Sequence, residues 1–498
     1  MSEDPFEQIE ELLSAMVGKE TAKEAIEALR ASGMDAEALS QMGGFEELSK
    51  ISPSQMMAMQ AQMQQMFSAG GDEPVNWKIS AEVAGQGARQ HGDPIITAEM
   101  AQQARTALQV ADLWLDTATD FLPAPGTRSA WTRSQWAENT LPVWQDICTP
   151  VAEAVTEALS TVLSGQSQDL PEEMAQVAQQ MGALSNVMKQ ISGSAFGVQL
   201  GQAIGHLGSD AFSATEIGLP LTTDTVTALV PANIAEFAQG LEIPEEETRM
   251  FLAVREAATA RLYAHVPWLR GQVLGAVEAY AREIKIDQAA IETAMQNIDP
   301  TDPEAVQAAL GSDMFSPDAS AAQKAALEKL ETLLAVVEGW VEVVTAQAVA
   351  PHLPHGLQLT EMMRRRRAQG GAAEQIFSGL IGLHFRPRRA REAAELWRVV
   401  GAQVEMSERD GYWQHPDLMP TEAELAAPAS DFLTLRRAAA ELESDLDADL
   451  ASLLDGTLGY DGDAATGGAL GNPADEEAVT PGDETPDETD GQDGSSQG

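Results

Sequence analysis

Histidine and cysteine are the side chains that most often carry metal or nucleophilic chemistry, and this 498-residue chain has seven of the first and one of the second. Cys148 can neither close an internal disulfide nor build a cysteine zinc cage by itself. That usage fits a reducing compartment. The histidines are His91, His206, His265, His352, His355, His384 and His415. A helix-borne zinc site needs two of them at i and i+4, with a glutamate after the first to deprotonate the metal-bound water. No HExxH run exists in the chain. His352 and His355, in APHLPHG, have the wrong spacing and read as solvated loop residues between prolines. GxSxG, GxxxxGK[ST] and a strand-borne GxGxxG are missing too, so the corresponding hydrolase, NTPase and dinucleotide chemistries lack their motifs.

The other concentrated chemistry is basic. Glu361 to Val400 holds nine arginines and four acids, a local +5 in a chain of net charge −47. Arg364, Arg365, Arg366 and Arg367 are contiguous, so on a helix they point all the way round it. Guanidinium forks suit carboxylates and phosphates. The simplest reading is pairing with the chain's own acids; the second is capture of an acidic peptide, a phosphorylated protein or the chain's own acidic tail. Nucleic acid is excluded on charge, because its binding rests on Lys and Arg neutralising phosphates, and no stacking aromatics alternate with the arginines. An anionic membrane surface is disfavoured for the same reason.

Elements that could position such groups are mainly α-helical. From Val75 to about Asp449 the chain is rich in Ala, Leu, Gln, Glu and Arg at helical spacing, broken by Pro and Gly. ITAEMAQQARTALQVADLWLDTATDFL (96–122), with Thr97 placed to cap, and SAAQKAALEKLETLLAVVEGWVEVVTAQAVAP (320–351) are examples. Two short β candidates, around 215–223 and 226–231, are too few for a sheet of any size. Gly193, Gly197, Gly201 and Gly205 recur every fourth residue and form one smooth stripe on a helix, to which another backbone can come close.

The ends read differently. Residues 1–74 form a helical Met/Gln-rich arm, with Met56, Met57, Met59, Met63 and Met66 in one segment, and a Gly-Gly-Asp-Glu-Pro break at 70–74 closes it. That segment is read as a helix packing on the body or a second copy, or as an adaptable partner surface. Residues 441–498 are an acidic tail, expected to be disordered from about 455, where a charge of −12 comes with no basic residue and scarcely any large apolar one. The body is thus bounded at 75–440. The N-terminus lacks a basic n-region and apolar h-region, and no stretch of about 18 uncharged apolar residues occurs. A soluble, cytoplasmic protein is expected; its oligomeric state is not set by the sequence.

The segment MFLAVREAATARLYAHVPWLRGQVLGAVEAYARE (250–283) resembles the zincin-like metallopeptidase family, whose members are often labelled zinc-dependent metalloproteases and in which an HExxH helix runs shortly into PWLR. LEKLETLLAVVEGWVEVVTAQAVAPHLP (327–354) is similar to the family's second helix, which usually reads EGH. Further similarity lies in 75–94, 111–119, 131–144, 362–400 and 409–425, so it spans most of 75–430. The resemblance implies a zincin-like helical domain, a hydrolase acting on peptide bonds, and zinc. Counted back from Pro267, the HExxH window falls on Arg255-Glu256-Ala257-Ala258-Thr259. Glu256 matches the general-base position, Arg255 and Thr259 stand at both histidine positions, and Glu338-Gly339-Trp340 has Trp340 where relatives have histidine.

A guanidinium offers zinc no lone pair, and its charge opposes a dication. Glu256 and Glu338 alone cannot complete a tetrahedral site, so no cofactor is expected here. Glu256 then has two readings. In one it polarises a water in a metal-free pocket, with Arg255 or Arg261 stabilising negative charge. In the other a buried ion pair, such as Glu338 with Arg255, replaces zinc as the strut between helices. Tyr263 and His265 are read as a packed tyrosine and a capping histidine rather than pocket groups. Two functions follow: a metallopeptidase-type hydrolase by resemblance, or a silent relative that binds peptide or protein in the former cleft.

Overall fold

A computed structural model describes residues 73–90, 92–165, 175–215, 218–223, 226–283, 320–368 and 389–455. The Met-rich segment, the tail beyond 455, His91, His384, Arg386 and Arg388 lie outside these residues. The described chain is mainly helical, and it divides into two compact units between Leu435 and Arg436. That break falls a few residues before the boundary expected at 440. The C-terminal unit is described only as the continuation of one helix to Leu454.

In the first unit several helices begin where the sequence supplies a cap or a proline. α1 (Trp77–Gln90) is followed by α2 (Ala98–Leu115), whose N-cap Thr97 accepts from the Met100 amide at 3.1 Å. After β1 (Thr127–Ala130) come α3 (Arg133–Gly165) and α4 (Ala175–Asp210). β2 (Val226–Leu229) leads directly into α5 (Pro231–Gln239), which starts on a proline that has no amide to satisfy. α6 (Glu245–His265) and α7 (Pro267–Arg282) meet at a second proline of this kind. α8 (Ala321–Val349) is capped by Ser320, accepting from the Gln323 amide at 3.0 Å.

β1 and β2 pair in parallel, Thr127 opposite Val226 through Ala130 opposite Leu229. The 226–231 candidate is therefore a strand, but its partner is 127–130, a four-residue segment too short to carry an alternation signal. The other candidate, 215–223, is corrected: its described residues are turn and irregular chain, and neighbouring Ser213 makes only an isolated antiparallel bridge to Leu229.

α4 lies along α1, and the glycine stripe explains how closely. A Cβ on Gly197 would sit 2.6 Å from the Asn76 carbonyl oxygen, one on Gly201 2.6 Å from that of Ser80, and one on Gly205 2.8 Å from that of Ala84. α6 and α8 form the centre. Both are buried on nearly every face over Phe251–Leu262 and Leu333–Thr345, the pattern of a helix enclosed by others. α8 is also the one described helix long and apolar enough to cross a membrane, with mean hydropathy 1.4 over its best window, and 78% of that window is buried inside the fold. α9 (Gly356–Ala368) and α10 (Ala390–Gln403) pack on α8. Gly339 admits α10, since a Cβ there would lie 2.5 Å from the Ala394 nitrogen. α11 (Met406–Gly411), α12 (Glu422–Ala426) and α13 (Phe432–Leu454) complete the described chain.

Candidate functional site

The residues that correspond to the two aligned motifs come together where α6 faces α8. Arg255 and Thr259 are one turn apart on α6, as their i, i+4 spacing requires, and with Glu256, Glu338, Ser213, Thr215 and Leu252 they line a cavity of about 10 Å³. That is room for one water molecule. The Arg255 guanidinium donates from Nη2 to Glu338 Oε1 at 2.6 Å, with both side chains about nine-tenths buried. Arg367, from α9, pairs with the same Glu338 oxygen. Two guanidiniums thus converge on one carboxylate between three helices. The Thr259 hydroxyl donates to the Arg255 carbonyl at 3.0 Å, a local helix bond that leaves it turned along α6.

Glu256 is 1% exposed, and its partners are not cations. Oε2 accepts from the Thr215 amide at 3.1 Å and the Thr215 hydroxyl at 2.6 Å, and Oε1 accepts from the Ala228 amide at 3.3 Å. The carboxyl therefore ties α6 to β2 and to the segment before it. Burial pushes it above the usual carboxylate range, against the lowering pull of hydrogen bonds from the Thr215 and Ser213 hydroxyls and the two amides. The buried ion pair is the one between Arg255 and Glu338, and Glu256 takes no part in it.

Trp340, the residue in the third histidine position, is fully buried and donates from Nε1 to Asp410 Oδ1 at 3.0 Å. Asp410 also accepts from Arg409 Nε at 2.8 Å, the Thr119 hydroxyl at 2.7 Å and the Asp120 amide at 2.9 Å. The Trp340 ring packs edge-on against Trp413 and tilted on Phe121. Trp340 is therefore part of the packed core.

Arg261 does not present its charge to a ligand, contrary to its expected role. It is 0% exposed, and its donors go to the Asp112 and Phe121 carbonyls at 2.6 and 2.7 Å and to the Asp116 carboxylate at 2.8 Å. Of the four contiguous arginines, Arg364 bonds Glu342 from Nε at 3.0 Å, and Arg366 bonds the Asp210 carboxylate at 2.8 Å while lying 4.2 Å over the Phe212 ring. Arg365 is the outward one, paired along its own helix with Glu361 at 3.1 Å. Arg364 to Arg367 are thus paired with the chain's own acids, and Arg389 adds a bond to Glu422 at 3.0 Å. Tyr263 donates to the Gly218 carbonyl at 2.7 Å, its hydroxyl pushed up by burial. His265 is exposed and stacks on Phe121 outside the cavity.

Sequence reasoning missed Ser213 and Thr215, which hold Glu256 from irregular chain with no motif, and the pairing of Arg367 with Glu338. Asp112 on α2 and Asp116, its C-cap, carried a usable signal: they are one turn apart and both reach Arg261 of α6. Among the described residues no group of three or more His, Cys, Asp or Glu side chains is arranged to hold a metal ion.

A family model described as zincin-like metallopeptidase matches residues 75–432. The crystal structure of a candidate hydrolase with a novel fold from Chloroflexus aurantiacus is similar in fold, with a TM-score of 0.50 at 16% identity over 73% of this chain and 99% of that one. No curated protein matches.

Proposed function

The chain belongs to the zincin-like metallopeptidase family, and on that premise we propose that it is a member without zinc-dependent peptide hydrolysis, which keeps the fold as a scaffold and works by binding protein. The observation that carries this reading is the convergence of Arg255 and Arg367 on Glu338. Zinc takes sulfur, imidazole or carboxylate donors in a tetrahedron. Here the nearby carboxylates are Glu338, held by two guanidiniums, and Glu256, held by hydroxyls and amides. These residues do not fit the metal: positive charge occupies the place where a dication would need negative and neutral donors.

The pair acts instead as the strut between α6 and α8. A peptide in the former cleft is not favoured, since the space among these side chains admits one water rather than a side chain. Glu256 with a raised pKa resembles a general base in one respect, yet its oxygens face donors of the protein itself. The test is hydrolysis of fluorogenic peptides and casein by the wild type and by Glu256→Gln, with and without chelator. This reading expects equal, background-level rates throughout. Hydrolysis abolished by Glu256→Gln and by chelation would refute it.

A further inference from the structure

α13 carries leucines on its outside. Leu442, Leu446, Leu450 and Leu453 are 62%, 58%, 54% and 60% exposed. At 3.6 residues per turn they fall within an arc of about 80°, so they form one stripe rather than a scatter. Glu443 and Asp447 border the stripe on one side, Asp445 and Asp449 on the other. Every residue from Arg437 to Ala451 is exposed. α13 is buried only at Phe432 and Leu433, so from Arg437 to Ala451 it draws little from tertiary packing, the usual source of helix stability in proteins. The leucine periodicity therefore has no use within the described fold.

Charge decides among occupants. A second copy would set acidic borders against acidic borders, because residues 441–449 hold five acids and no base, and residues 455–498 add −12. Like charges placed opposite one another across an interface are costly. We propose that α13 is a docking helix that lays the stripe Leu442, Leu446, Leu450 and Leu453 into an apolar groove rimmed by Lys and Arg on a partner protein, the helix-in-groove mode. This names the partner class for the binding role given above, yet α13 alone carries it: its failure would leave the metal-free reading of the site intact.

The test uses the full chain and two labelled amphipathic peptides, one of Leu and Lys and one of Leu and Glu at the same helical spacing, followed by fluorescence anisotropy. The triple variant Leu442→Ser, Leu446→Ser, Leu450→Ser keeps the net charge, and far-UV circular dichroism checks its helicity. The proposal expects the Leu/Lys peptide to bind, the variant to bind it at least about tenfold more weakly, the Leu/Glu peptide not to bind, and the chain to sediment as a monomer. Equal binding of the Leu/Lys peptide by the variant would assign the attraction to charge alone and overturn it. So would binding of both peptides, binding of neither, or a dimer that the triple variant dissolves.

Discussion

Substituting Arg255 by alanine probes the strut directly. The side chains of Arg255 and Glu338 are 10% and 12% exposed, so solvent screens the pair little, and removing one partner of a buried pair costs about 3–5 kcal/mol. Arg367 remains on Glu338 when Arg255 is gone. The carboxylate is then not stranded, which places Arg255→Ala near the lower end, about 3 kcal/mol. Glu338→Ala leaves two guanidiniums facing each other and belongs at the upper end, about 5 kcal/mol. With an unfolding entropy of about 2 cal/mol/K per residue over a region of roughly 360 residues, 3 kcal/mol corresponds to a fall in Tm of about 4 °C. Scanning calorimetry at fixed rate reads it, and a double-mutant cycle isolates the pair. An unchanged Tm for Arg255→Ala, or a Glu338→Ala variant more stable than Arg255→Ala, would refute the claim that this contact joins α6 to α8.

The remaining expectations concern helix packing and acid chemistry. Gly201→Ala places a Cβ 2.6 Å from the Ser80 carbonyl oxygen and 2.8 Å from Val83 Cβ, and pushing α1 from α4 should cost about 1–3 kcal/mol. Gly271→Ala meets nothing within 4 Å inside α7 and should gain about 0.5–1 kcal/mol from helix propensity; calorimetry that finds the two alike would contradict the close approach. For Glu256, the folded carboxyl lies above its unfolded value because of burial. Its contribution to stability is fully present below the unfolded value of about 4.3 and is lost as pH rises through the folded one. The Tm of Glu256→Gln should therefore improve relative to wild type as pH rises above that value, and a gap that is constant or moves the other way would show the carboxyl to be favoured in its charged form.

How much of this was legible in the sequence follows from range. Helix content was, since Thr97 announces a cap and the apolar spacing of 96–122 and 320–351 announces helices. The glycine spacing at 193–205 also announced a close helix contact, though not that α1 is the neighbour. Arg255 opposite Glu338 could be anticipated because the aligned motifs place both at one site. The donors on Glu256 could not: Thr215 is 41 positions away in irregular chain, and no periodicity marks it. The same holds for β1, whose pairing with β2 spans about a hundred residues and which is too short to alternate. Arg261 reads as a group that stabilises negative charge in the pocket because it lies on the same helix as Glu256; Asp112 and the C-cap Asp116 of α2, which enclose it, are adjacent only in the fold. The role of Arg364, Arg366 and Arg367 is decided by partners on other helices, Glu342, Asp210 and Glu338, which composition could count but not place.

The central claim is that an arginine–glutamate contact stands where the family's name implies a metal, and zinc stoichiometry tests it most directly. The full chain, purified without chelator and dialysed against micromolar zinc, is measured by plasma mass spectrometry, with its Tm taken with and without added chelator. The account predicts well under one zinc per chain and a Tm that chelation leaves unchanged. One zinc per chain, lost on chelation together with several degrees of Tm and retained less well by Glu338→Ala, would contradict it.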